Sequence, residues 1–166
     1  MNNLFKKLRF ALVIVLLLSI ASANVVLADG GKPPPPTPVV IRQGGPVVHS
    51  EPAVPIGDFL LSAATVYRAG WTDAYWVWYY PANIEHHGSH NSQSDLVENN
   101  IWADGNLKVK GVVVNSCSSH TGGQYTHCET SKTYYLKYSI TAKSWHYFHT
   151  SGYVDQNFTT SKTINP

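Results

Sequence analysis

Charge, methionine and cysteine are scarce in this chain, and proline is nearly missing from its larger part. Only 13% of the 166 residues are Asp, Glu, Lys or Arg, with one methionine and two cysteines. Past Gly57 the only prolines are Pro81 and Pro166. Ala, Leu and Glu are too sparse to predict helices of ordinary length. The formal charge of +2 does not describe a basic protein, because Lys6, Lys7 and Arg9 sit in a leader that carries no acid. From Asp29 onward nine basic side chains face ten acidic ones, and the basic ones are scattered. A nucleic-acid binder needs a basic face, so nucleic acid is not an expected partner. No Gly-x-Ser-x-Gly, His-Glu-x-x-His or phosphate-loop pattern occurs. The dispersed acids nominate no pair of glycosidase carboxylates. No catalytic residue and no cofactor are therefore expected.

What is present begins with an address. Phe10 to Ile20 is apolar almost throughout, and Ala21-Ser22-Ala23 and Val26-Leu27-Ala28 are small-residue cleavage sites. With the basic stretch before it, residues 1–28 read as a secretory signal peptide cut after Ala23 or Ala28. Phe10 to Ala28 is 19 residues, close to a membrane span, but Ser19, Ser22 and Asn24 weaken its second half. Export with cleavage is expected over retention as an anchor. The expected location is extracellular, with the membrane met only in transit. Residues 29–57 hold eight of the ten prolines, including Pro33-Pro34-Pro35-Pro36. Proline fixes φ and removes amide donors, so this segment is expected to be a disordered, extended linker.

Residues 58–166 are then one folded domain, a size with room for one core. Its period is two. Tyr134, Leu136, Tyr138 and Ile140 alternate with Tyr135, Lys137, Ser139 and Thr141, which predicts a half-buried strand. Phe59–Arg68, Ala74–Tyr80, a pair meeting at Asp104-Gly105, Trp145–His149 and Gly152–Thr160 read as further strands. About seven short strands with turns between them predict an all-β antiparallel sandwich, Ig-like in size. Cys117 and Cys128 lie symmetrically about Gly122-Gly123. A tight turn there pairs them directly, at a separation a disulfide tolerates, so a disulfide-bridged hairpin is expected in an exported protein.

Two clusters could carry function. His86, His87 and His90 fall in a Gly/Ser/Asn-rich segment and are a candidate metal set, read first as a solvated loop that binds metal only adventitiously. Trp71 precedes the run Tyr75-Trp76-Val77-Trp78-Tyr79-Tyr80. On a strand, Trp76, Trp78 and Tyr80 share one face, and one face of the strand must fill the core. Trp71, Trp76, Trp78 and Tyr80 are the candidate ligand-binding residues, since exposed rings stack on sugars or anchor protein partners. The stretch from Trp71 to His87-Gly88-Ser89 resembles lactococcin-type bacteriocins, small secreted β-sandwich peptides. Those peptides are shorter and lack this disulfide hairpin and the proline spacer, and no site residue is carried over from them. The leading expectation is a secreted, non-catalytic domain that binds a glycan, a cell surface or a protein partner. The alternatives are a secreted toxin or bacteriocin and, after it, a small hydrolase using histidine bases.

Overall fold

The computed structural model describes residues 37–57, 65–79 and 83–166. The expected signal peptide, the Pro33–Pro36 run, the predicted strand's first residues 59–64 and Tyr80 lie outside the described residues. The elements are β1 (Val39–Arg42), β2 (Val47–Pro52), β3 (Tyr67–Tyr79), β4 (Asn83–Val109), β5 (Val112–Tyr134), β6 (Ile140–His149) and β7 (Gln156–Ile164). They form one antiparallel seven-stranded sheet. Its spatial path is β1-β3-β4-β6-β7, with β2 also on β3 and β5 also on β4.

The long strands explain the shape. The start of β4 pairs with β3, from Asn83 opposite Tyr79 to Ser94 opposite Arg68. Its end pairs with β6, from Asn100 opposite His149 to Val109 opposite Ile140. β5 follows β4 along both parts, with register shifts around Glu98. There the inward-facing positions of β4 change from even (His86, His90, Ser92, Ser94) to odd (Ile101, Ala103, Leu107, Val109). The ribbon bends at this point and the sheet curls, so that β3 packs across β6 and β7. The disulfide measures the bend. Cys117 and Cys128 have Cα atoms 5.9 Å apart, whereas a straight strand of that length would hold them roughly 36 Å apart.

The inside of the curl is graded. One end is apolar: Ala74, Trp76, Leu107, Val109, Ile140, Ala142 and Ile164 form the core. The middle is polar, with Thr72, His90, Ser144, His146 and Thr160 all buried. The far end is ionic. Arg68 Nε and Nη2 donate to the two Glu98 oxygens at 2.8 and 2.9 Å, and Nη1 donates to Val154 O at 2.7 Å. Ser94 and Thr150 hydroxyls complete the carboxylate, each at 2.6 Å. Two glycines let the layers meet, because a Cβ on Gly70 would sit 2.4 Å from the His146 ring and one on Gly105 would sit 2.2 Å from the His90 ring.

Several expectations are corrected. The segment expected as a linker contributes β1 and β2 from Val39 to Pro52, because the β-branched residues Val39–Ile41 and Val47–Val48 pair residue by residue with β3 and their prolines fall at strand ends or in the turn. Asp104-Gly105 is not a turn. The chain turns at Lys110-Gly111, both at positive φ (52° and 82°), and Gly105 is glycine to admit His90. The alternating run from Tyr134 is broken at residues 135–139, and Ala142-Lys143 continues β6. The hairpin register about Gly122-Gly123 brings Cys117 to Cys128 and the Ser119 hydroxyl within 2.7 Å of that of Thr126. The backbone ladder of both arms, however, is made with β4.

Candidate functional site

The strand alternation decides which chemistry-bearing side chains meet. On the outer face of the first part of the sheet, register sets up three rows across β3, β4 and β5. Trp71, Asn91 and His127 form one row, Asp73, Ser89 and Glu129 the next, and Tyr75, His87 and Ser131 the third. A groove of about 230 Å³ is lined by Arg42, Pro46 and six of these residues, Trp71, Asp73, Tyr75, Ser89, Asn91 and Glu129. Rings border it on both sides. Trp71 packs against Tyr125 with centroids 6.2 Å apart, and Tyr75 stacks on His87 at 4.9 Å with planes 2° apart.

The polar groups of this groove are held in place. The Tyr125 hydroxyl donates to Asn91 Oδ1 at 2.8 Å, and Asn91 Nδ2 donates to Ser89 Oγ at 2.9 Å. Asp73 accepts from Lys162 Nζ at 2.6 Å and lies 3.6 Å from Arg42 Nε. Arg42 also covers the Tyr75 ring, 4.7 Å from its centroid. Burial, and after it the Glu129 carboxylate, pushes the Tyr75 phenol above its ordinary pKa. The same two causes raise Tyr125. Both phenols are therefore neutral at neutral pH and able to donate.

The candidate binding residues are dispersed by the same alternation. Trp71 lines the groove. Trp76 is 1% exposed inside the curl and donates Nε1–H to Tyr138 O at 3.2 Å, so it belongs to the core and not to a surface. Trp78 is 39% exposed near the end of β3, away from the groove lining. Sequence reasoning missed Asp73, Ser89, Asn91, Tyr125 and Glu129. Trp71, Asp73 and Tyr75 share a face of β3 by alternation, but their partners on β4 and β5 follow only from the register.

The histidine cluster is a strand, not a loop, and it is split between faces. His87 points outward, while His86 and His90 are fully buried inside. Three nitrogens on opposite faces cannot meet at one ion, which removes His86, His87 and His90 as a joint metal set. Among the described residues no group of three or more His, Cys, Asp or Glu could hold a metal ion. His86 Nδ1 lies 3.3 Å from Ile84 O, and its Nε2 accepts from the Tyr138 amide at 3.1 Å.

His90 belongs to a buried hydrogen-bond chain with His146. Ser92 has one hydroxyl hydrogen and gives it to Trp102 O at 2.6 Å. It must then accept from His146 Nδ1, 2.8 Å away. The rest follows link by link. Thr160 donates to His146 Nε2 at 2.8 Å, Thr72 to Thr160 at 2.5 Å, and Ser144 to Thr72. His90 Nδ1 donates to Ser144 at 2.7 Å, and Thr130 donates to His90 Nε2 at 3.1 Å. Every member is satisfied with both imidazoles neutral. Burial drives both rings down to a pKa of about 4. Neither ring has a lone pair left for a metal or a substrate.

One exposed trio has the composition of a hydrolase triad but not its geometry. His120 Nε2 lies 2.7 Å from Asp104 Oδ1 and 3.0 Å from Ser118 Oγ, and Ser118 donates to that same Asp104 oxygen at 2.6 Å. A relay needs acid and hydroxyl on opposite ring nitrogens. Here one nitrogen serves both, and the serine hydrogen already points at the acid. No family model, curated protein or solved structure matches this chain.

Proposed function

We propose that this is an exported, non-catalytic protein that binds carbohydrate at a cell surface through the outer face of β3, β4 and β5. The observation that carries the reading is the polar row Asp73–Ser89–Glu129 set between Trp71 on one side and Tyr75 on the other. A pyranose presents flat C–H faces to aromatic rings and a rim of hydroxyls to carboxylates, amides and hydroxyls. The groove's volume of about 230 Å³ is below the roughly 300–1,000 Å³ of pockets that enclose a drug-sized ligand. A sugar laid on a face suits it better than a buried cofactor. In this reading the facing halves of the curl act as the two layers of a sandwich and give the platform a rigid backing.

The test is a pull-down of the purified protein on insoluble cellulose, chitin and isolated cell walls, with tryptophan fluorescence read on the bound fraction. Binding is expected to at least one matrix, with a shifted emission. Trp71→Ala is expected to weaken it by about tenfold or more. Failure on every matrix, or a Trp71→Ala variant that binds like the parent, overturns the reading.

A further inference from the structure

The bend in β4 and β5 exposes a second outer face, built by the end of β4, the start of β5 and β6. Register again gives rows of three: His120, Trp102 and Tyr147; then Ser118, Asp104 and Trp145; then Ser116, Asn106 and Lys143. The first row is a ladder of rings, with Trp102 stacked on His120 at 4.2 Å and tilted against Tyr147 at 4.6 Å. Beside it lies a groove of about 370 Å³ lined by Asp104, Gly105, Asn106, Ser116, Cys117, Ser118 and Trp145. Trp145 is 41% exposed, with Lys143 Nζ 5.0 Å from its ring centroid.

Asn106 makes this groove more than a surface texture. Its Oδ1 is buried and has no hydrogen-bond donor among the described residues. A buried acceptor without a partner is unfavourable, and native structures leave few of them. This one lines a groove whose other polar members, Asp104, Ser116 and Ser118, can also accept hydrogen bonds. A ligand that brings several hydroxyl donors and a flat apolar face for Trp145 meets all of these needs together. The disulfide holds the strand that carries Ser116 and Ser118, because Cys117 stands between them.

We infer that this groove is a second carbohydrate site, on the opposite outer face from the first, and that one chain cross-links two glycan strands. The inference rests on the carbohydrate reading of the Trp71 face. Two weak sites on a single chain also raise avidity, because the second contact becomes intramolecular.

The experiment is agglutination of particles of whichever polysaccharide is bound in the pull-down, with titration of soluble oligosaccharides released from that matrix. The parent is expected to cross-link particles and to take two oligosaccharides per chain. Trp145→Ala, at an exposed position, is expected to bind particles without cross-linking them and to take one. Asn106→Ala is expected to weaken that same site by several-fold, and near-ultraviolet circular dichroism confirms that each variant is folded. A Trp145→Ala variant that cross-links like the parent, or a parent that takes one oligosaccharide per chain, overturns the second site and leaves the first standing. A parent that binds no matrix overturns the carbohydrate reading itself.

Discussion

Acidification from pH 7 to pH 5 should remove a large part of this protein's stability, and the buried histidine pair sets the amount. His90 and His146 are neutral in the fold with pKa values of about 4, lowered by burial and, for His146, also by the charges of His90 and His49. In the unfolded chain an imidazole titrates near 6.5. The unfolded state therefore binds more protons than the native state below pH 6.5. Stability is fully present above that value and is lost as pH falls toward 4. Linkage gives about 2 kcal/mol per histidine at pH 5, or about 4 kcal/mol for the pair, against a typical 5–15 kcal/mol for a whole domain. Urea denaturation at the two pH values measures it. The chain of hydroxyls adds a second, independent signature. Ser92 gives its hydrogen to Trp102 O at 2.6 Å, so both rings must carry their proton on Nδ1. The reverse polarity would end on Gly88 O through Thr130, at a longer 3.3 Å. Long-range proton–nitrogen correlation spectra read the tautomers directly. Stability that stays flat between pH 7 and pH 5, or rings that are Nε2–H or mixed, refutes the reasoning.

Three further outcomes follow from the interior. Gly105→Ala places a methyl group 2.2 Å from the His90 ring and should cost about 3 kcal/mol by overpacking, read by denaturant titration. Glu98→Gln leaves the Arg68 guanidinium buried without its counter-charge, and a loss of about 3–5 kcal/mol is expected in the same assay. Replacing Cys117 and Cys128 by serine opens a loop with a sequence separation of 11 residues. It should lower stability by about 3 kcal/mol on loop entropy, a difference that disappears when both proteins are compared under reducing conditions.

The fold class was legible because it depends on local period. The strand expected at Trp145–His149 falls within β6, and the cysteine symmetry about Gly122-Gly123 predicts the disulfide that is found. Three things were not legible. The glycine at position 105 looked like turn chemistry because Asp-Gly is a turn signal, but its cause is an imidazole from another part of the chain. The proline-rich segment hid β1 and β2, because composition averaged over residues 29–57 masked short valine runs. The histidine segment read as a loop because Gly, Ser and Asn are loop formers. In the fold those small residues are what the interior requires: Gly88 abuts Thr130, and Ser92 closes the hydrogen-bond chain. The candidate site was half legible for the same reason. Periodicity along β3 separates Trp71 from Trp76, but only cross-strand register adds Asn91, Ser89 and Glu129.

The distribution of side-chain size points the same way as the proposed function. A core ordinarily takes the large rings, because they bury the most apolar area. This interior takes Thr, Ser and His in its middle, with Trp76 at one end and Phe148 beside Arg68 at the other. Small residues there allow the facing parts of the sheet to approach closely enough for Thr72 to bond both Ser144 and Thr160. Close approach leaves no room inside for more indoles. Trp71, Trp102 and Trp145 therefore project outward, each from a strand whose neighbours supply hydroxyls, amides or carboxylates beside it. Trp71 and Trp102 pack on neighbouring rings of the outer faces, and Trp145 is exposed at 41%, an apolar surface that carries a solubility cost. What they supply is flat apolar area next to fixed hydrogen-bonding groups, on two faces held at a set distance by a narrow, hydrogen-bonded interior. A protein selected only for stability gains little from that allocation, whereas one that must hold two polyhydroxylated strands needs it.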